Sequence, residues 1–463
     1  MKSFLTLFCV VLLLSSYSIA QNVEAKLGSG GAFSVFNSSN SSILSISEND
    51  NNLNLRNLNI ENTLGANVGI IYKAGQRIFH TFGTNNLFLG YNSGNFSLSS
   101  SSNGNIGIGT ATLQGLTTGV ENTAVGNAAL VQVTIGNYNS AFGSFALEPN
   151  TLGNFNSAFG YASLRSNTVG NDNAAFGVAA LYSNTTGHDN AAFGNSALNL
   201  NTTGFFNSAF GMNSLRKNNG DENSAFGQAS LFENTTGYAN SAFGVGSLAQ
   251  NTTGFLNTAI GLNAGSTVTT GSNLVLIGSN AQPTLPNATN QITLGNSSIT
   301  SLRCNVTSIS SLSDVRDKKN IKDLSLGLEF LMQVKPREFN WDKREWYEGN
   351  VSDGSRTEDY PTAGFIAQEL DNLQSEINAD WMNLVIKENP ERLEATAGNL
   401  FPVVVKAVQD LKKEKDAEIA QLKSENLLLK QELELLKELR LRLANLEQAI
   451  INSDVKFSSN ITK

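Results

Sequence analysis

The chain has 463 residues, enough for several domains, and a formal net charge of −8 that is spread unevenly. Only ten charged residues fall between 105 and 295, whereas both signs crowd the segment after Asp314, so the long neutral middle offers no electrostatic footprint for nucleic acid. Cys9 lies in a removable leader and leaves Cys304 alone, which excludes an intrachain disulfide, and His80 and His188 lack neighbouring metal ligands, so neither metal nor cofactor is expected.

Residues 1–20 read as a secretory signal peptide. Met1-Lys2 gives a positive start, the apolar run from Phe4 to Leu14 is too short to span a bilayer, and Ser18-Ile19-Ala20 puts small residues before Gln21. A mature protein that is secreted or displayed at the cell surface follows as the expectation, and no other apolar run is long enough to cross a membrane. Phe8 is too bulky, and Cys9 too early, for a lipoprotein site. Residues 21–104 read as a β-rich cap region. Gly28–Gly31 and the Asn/Ser runs at 37–42 and 97–105 are expected as loops, Val68–Tyr72 and Leu87–Gly90 as strands.

From 105 to 296 a seventeen-residue period governs the chain. Glycine after an apolar residue recurs at 109, 126, 143, 160, 177, 194, 211, 227, 244, 261, 278 and 295, with a single interval of sixteen between 211 and 227. Seventeen residues are too few for two packed helices, and the Gly, Asn and Thr content disfavours even one, so short strands with tight corners are expected, stacked as a β-solenoid or β-roll. Twelve turns at roughly 4.8 Å each make a rod about 55 Å long. Asn four residues before each Gly, from Asn105 to Asn257, predicts a ladder of hydrogen-bonded amides. Leu four residues after the Gly and Phe just before it, the latter from Phe142 to Phe243, are expected to form the core. A second Gly series, from 119 to 271, marks a corner where positive φ is expected. The missing residue falls between Leu215 and Gly220, where a corner tolerates it. Sequons at Asn184, Asn201, Asn234 and Asn251 belong to the repeat and require no glycosylation to explain them. The Asn-Ser-Ala-Phe-Gly core of the repeat resembles the head repeats of trimeric autotransporter adhesins, which implies a left-handed parallel β-roll.

Residues 297–312 form a connector. A different text then begins: Ser313-Asp314-Val315-Arg316-Asp317-Lys318-Lys319-Asn320-Ile321. A Ser five residues before a Lys is weak evidence alone, compatible with a solvated turn or with a nucleophile and its base, because a buried Lys gives up its proton near neutral pH. Downstream stand Pro336–Trp341, Gly364–Leu370 and a helix from about Leu400. In this order the motifs closely resemble the intramolecular chaperone domain of endosialidase tailspikes, a self-cleaving serine peptidase family, over about 311–410. The resemblance implies that a small α+β domain at 313–410 trimerises, helps the preceding fibre fold and cuts itself off, with Ser313 the nucleophile and Lys318 its base. Asp314 and Arg316 are candidates for a pair that shapes the turn, and Asn320 for a backbone or oxyanion contact; each also fits a structural role. Trp341, Trp346 and Phe365 are expected as core aromatics, and Gln368 and Glu369 either as contacts of the dyad or as a solvated helix start.

Residues 411–451 carry Ile419, Leu422, Asn426, Leu429, Leu433 and Leu436 at alternating spacings of three and four, a coiled-coil seam that continues to Ile450 and precedes a tail at 452–463. The seam fits two strands or three; the family resemblance implies a homotrimer. Together these features predict a mostly β, secreted fibre or adhesin that assembles with itself, for which surface glycans or a cell-surface receptor are the partners to consider. Two alternatives stand beside it: a glycan-degrading enzyme with its site within 21–300, disfavoured by the scarcity of carboxylates, and an uncleaved fibre with the C-terminal domain as a clamp.

Overall fold

The computed structural model describes residues 69–305 and 311–460, together with four short strands, Glu24–Leu27, Phe33–Phe36, Ser42–Ile46 and Leu53–Leu55, which form an antiparallel sheet. The signal peptide expected at 1–20, the loop at Gly28–Gly31, most of the Asn/Ser run at 37–42 and part of the connector lie outside the described residues. Two compact units divide the chain, one up to Ser298 and one from Ile299.

The first unit is a β-solenoid with one three-residue strand per turn, from Ile106–Ile108 to Ile292–Leu294. Successive strands pair in parallel and in phase, Ser140 with Ser157 and Phe142 with Phe159, so each residue sits on its own counterpart one turn away. At the N-terminal end Leu87–Leu89 joins this stack in parallel, and its other edge is covered by an antiparallel hairpin, Ile71–Lys73 and Gln76–His80. Antiparallel closure caps an edge that would otherwise present unpaired N–H and C=O groups.

Two columns of Asn hold the turns in register. From Asn105 to Asn240 each Asn of the first column donates through Nδ2 to the Oδ1 of the one before it, as Asn190 does to Asn173 at 3.1 Å and Asn207 to Asn190 at 3.1 Å, and the run starts one turn earlier than expected, at Asn86. Asn150, Asn167, Asn184, Asn201, Asn218, Asn234 and Asn251 build a second, equally buried ladder. The sequon asparagines are therefore structural rungs. Between the ladders lies the Leu column, Leu113 to Leu248, fully buried and held in the left-handed backbone region near φ 50°.

Two expectations about this unit are corrected. The Phe column is not core: the residue pointing inward from each strand is the central Ala, from Ala124 to Ala259, while Phe142 and Phe243 are 37% and 41% exposed and the five between them half-buried. A three-residue strand alternates faces, so an inward Ala forces its Phe neighbour outward. Nor does the corner Gly series adopt positive φ. The left-handed backbone belongs to the first series, φ 121–141° from Gly109 to Gly278. Corner glycines are needed for close approach, since a Cβ on Gly187 would lie 2.3 Å from Asn184 Oδ1 and 2.5 Å from Gly204 O.

The sixteen-residue turn closes without a fault in register, Ser208 pairing with Ser224. In a regular corner Thr185 N donates to Thr202 O at 2.9 Å; here the amide oxygen of Asn219 takes the place of the absent carbonyl, accepting from Thr202 N at 2.7 Å and Thr202 Oγ1 at 2.9 Å.

The second unit is small and mixed. Phe330, Val334, Leu370, Leu373, Met382, Leu384, Leu400 and Val403 form its core, drawn from short helices at Leu328–Leu331 and Ala367–Glu376, from the start of a long helix, Phe401–Asn460, and from the turns between them. Two two-stranded sheets complete it, Arg337–Phe339 with Thr362–Gly364 and Val385–Ile386 with Glu394–Ala395. Trp341 is 43% exposed and packs edge-on against Phe339, and Trp346 is half-buried, so neither is the core residue expected; Phe365 is half-buried against that core. Among the described side chains beyond Ala407 the long helix has none fully buried in the single chain, and Leu422, Leu429, Leu433 and Leu436 are each about half exposed or more. Among the described residues no helix is long and apolar enough to cross a membrane.

Candidate functional site

The motif at 313–321 folds as one tight turn. Asp314 caps a single turn of 3-10 helix, Val315–Asp317, by accepting from Arg316 N at 2.8 Å, and the Arg316 guanidinium returns to the same carboxylate with Nη2 2.6 Å from Oδ2. Hydrogen bonding from Arg316 lowers the pKa of the Asp314 carboxyl and raises that of the guanidinium in turn. Lys318 N closes the turn on Val315 O at 3.1 Å. The closure folds the Lys318 side chain back, and its Nζ donates to Ser313 Oγ and, at 3.2 Å, to Ser313 O. Asn320 follows in the left-handed region, φ 54°, and ends the turn.

Chemically, a primary amine in contact with a serine hydroxyl is the minimum needed to remove the hydroxyl proton. Residues 311–323 are all exposed in the single chain, Leu312, Val315 and Ile321 among them. A lysine base works only after shedding its own proton, which loss of solvent promotes.

Farther along, the sequence motifs meet across the fold. Arg337 on the first strand and Glu369 on the Ala367–Glu376 helix form a two-bonded ion pair, at 2.9 Å for Nε–Oε2 and 2.5 Å for Nη2–Oε1, and this pairing lowers the Glu369 pKa. Glu369 thus ties strand to helix. Gln374, buried, ties the same helix to the next segment by accepting from Leu384 N at 3.1 Å. Spacing could not reveal either contact, since the partners lie 32 and 10 residues apart; two flanking motifs with complementary charge were the only signal.

Residues 313–377 match the family model described as the chaperone of endosialidase, a peptidase family. Residues 313–377 of the second unit are thus similar to a chaperone domain of that type. The match begins at Ser313, the first residue of the dyad turn, and covers the Arg337–Glu369 tie. Comparison with curated proteins and with solved structures finds no match. No group of three or more His, Cys, Asp or Glu positioned to hold a metal occurs among the described residues.

Proposed function

We propose that this protein is a secreted, trimeric fibre whose C-terminal intramolecular chaperone releases itself by one autocatalytic cut at Leu312–Ser313. The observation that carries the reading is the contact between Lys318 Nζ and Ser313 Oγ at the first residue of the chaperone match. Attack by Oγ on the carbonyl of Leu312 passes through a five-membered ring; attack on the carbonyl of Ser313 itself would need a four-membered one. Lys318, as the neutral amine, takes the hydroxyl proton and delivers it to the departing nitrogen of Ser313. The C–N bond breaks as the C–O bond forms, leaving an ester. Water then hydrolyses the ester to the Leu312 carboxylate and a free Ser313 amine and hydroxyl.

Assembly supplies what the single chain lacks. The leucine seam of the long helix is uncovered over many turns and fits a parallel coiled coil, so self-association of the chain is the step expected before the cut. Cleavage then follows trimerisation. The test is a denaturing gel of residues 21–463 and of its Ser313→Ala and Lys318→Arg variants. The wild-type chain should yield 21–312 and 313–463, with Ser313 as the new N-terminus, and both variants should stay whole. A wild-type chain that stays intact as a trimer rules out the cut.

A further inference from the structure

The turn that is one residue short carries a reactive dipeptide. Asn-Gly occurs twice in the chain, at Asn103-Gly104 and at Asn219-Gly220. A glycine after Asn leaves the next backbone nitrogen unshielded, and that nitrogen reaches the side-chain amide carbon through a five-membered ring. Whether the ring closes in a folded chain depends on how firmly the peptide unit between the two residues is held.

The two copies differ on this point. The peptide unit of Asn103-Gly104 is pinned at both ends, Gly104 N donating to Thr84 O at 3.3 Å and Asn103 O accepting from Glu121 N at 2.9 Å. The Asn103 amide is engaged as well, its Nδ2 donating to Ser101 O at 3.1 Å. The peptide unit of Asn219-Gly220 makes no hydrogen bond among the described residues, neither at Asn219 O nor at Gly220 N, whereas Gly170 N and Gly237 N in regular corners donate to Thr185 O and Thr252 O.

The side chain of Asn219 is arranged for attack. It is exposed, and its Nδ2 donates to nothing among the described residues. Its Oδ1 accepts from Thr202 N at 2.7 Å, Thr202 Oγ1 at 2.9 Å and Thr203 N at 3.4 Å. Donors on that oxygen draw electron density from Cγ and stand where negative charge develops when Cγ is attacked. The bonds that close the short turn therefore also activate the amide that closes it.

We infer that Asn219 is a site of spontaneous deamidation, converting without an enzyme to aspartate and isoaspartate. Gly220 N gives its proton to solvent base and bonds to Asn219 Cγ. The Cγ–Nδ2 bond then breaks, Nδ2 takes a proton from water, and ammonia leaves behind a succinimide ring. Water opens the ring at either carbonyl, so the sum is one water consumed and one ammonia released, with no change of oxidation state. Each product meets the turn differently. Aspartate still accepts from Thr202 and brings a new negative charge to the corner that holds Asp221 and Glu222. Isoaspartate routes the main chain through the former side chain, adding one backbone atom to the one turn that lacks a residue.

The test incubates the full chain in mildly alkaline buffer, folded and in parallel unfolded in urea. Peptide mass spectrometry follows both Asn-Gly sites, with fragmentation to separate Asn219 from Asn218 and an isoaspartyl methyltransferase to report the isoaspartate. In the folded chain Asn219 should convert at least about tenfold faster than Asn103, and in urea the two should agree within about threefold. Asn219→Gln, whose longer side chain requires a six-membered ring, should abolish the mass change. Equal conversion of Asn219 and Asn103 in the folded chain overturns the inference. So does a preference for Asn219 that persists in urea, because the contrast then comes from sequence and not from the fold. A mass change that survives Asn219→Gln places the reaction at another residue and overturns it too.

Discussion

Replacing Asn190 by Ala removes one rung from the first Asn ladder, and the structure fixes what is lost. Asn190 Nδ2 donates to Asn173 Oδ1 at 3.1 Å and to Gly204 O at 2.9 Å, and its Oδ1 accepts from Asn207 N and Nδ2, both at 3.1 Å. Most of these partners keep another bond: Asn173 Oδ1 still receives Asn190 N, Gly204 O still receives Asn201 Nδ2, and Asn207 Nδ2 still reaches Gly220 O. The backbone N–H of Asn207 does not, and a buried orphan donor costs about 1–3 kcal/mol. Adding the void left by the amide gives roughly 2–4 kcal/mol, which is about a 30- to 1000-fold rise in local opening at 1.4 kcal/mol per tenfold. Because each turn contacts only its neighbours, the loss should appear as faster amide exchange across 173–207, measured by hydrogen exchange and mass spectrometry, with distant turns unaffected. Asn195→Ala, an exposed control one strand away, should change exchange by less than about threefold. If Asn190→Ala behaves like that control, the ladder does not hold the turns together.

Gly187→Ala should lower the thermal midpoint of the rod, at a cost of about 3 kcal/mol, because the new methyl would meet Asn184 Oδ1 and the carbonyl of Gly204; Gly398→Ala, where nothing lies within 4 Å, is the control expected to be nearly neutral in a circular-dichroism melt. The cap should weaken in acid. His80 is buried, its Nε2–H donates to Ser93 O at 2.8 Å, its Nδ1 accepts from Phe82 N at 3.3 Å, and burial pushes its pKa down from 6.5 to about 4. As pH falls from about 6.5 towards 4 the unfolded imidazole takes up a proton that the folded one refuses, so up to about 3 kcal/mol of cap stability is lost across that window. Exchange protection of 71–89 should fall accordingly, and His80→Gln should flatten the dependence on pH.

What the sequence makes legible here follows from which physical rules are local. The period reports the turn directly, and the Asn column reports its ladder because amides stacked on themselves need no other information. Ser313 and Lys318 are five residues apart, so a single turn joins them. Phe142 and its counterparts face outward although size and apolarity favour burial, because the cross-section of the coil is already filled by Leu and two Asn columns and admits only Ala beside them. The second Asn ladder carries the same periodic signal as the first, but its Asn-Thr-Thr setting reads as a corner. Corner glycines look alike whether φ or close approach requires them, and only the carbonyl one turn away distinguishes the two. Arg337 and Glu369 meet through tertiary folding, which no local pattern encodes.

Because the strands of successive turns pair in phase, inserting or deleting one whole seventeen-residue repeat preserves the strand pairing of the turns that remain. Rod length is thus quantised in steps of roughly 4.8 Å, and a gene carrying such repeats gains or loses reach by unequal recombination without compensating mutations elsewhere. The hairpin cap closes one end of a ruler whose graduations are interchangeable.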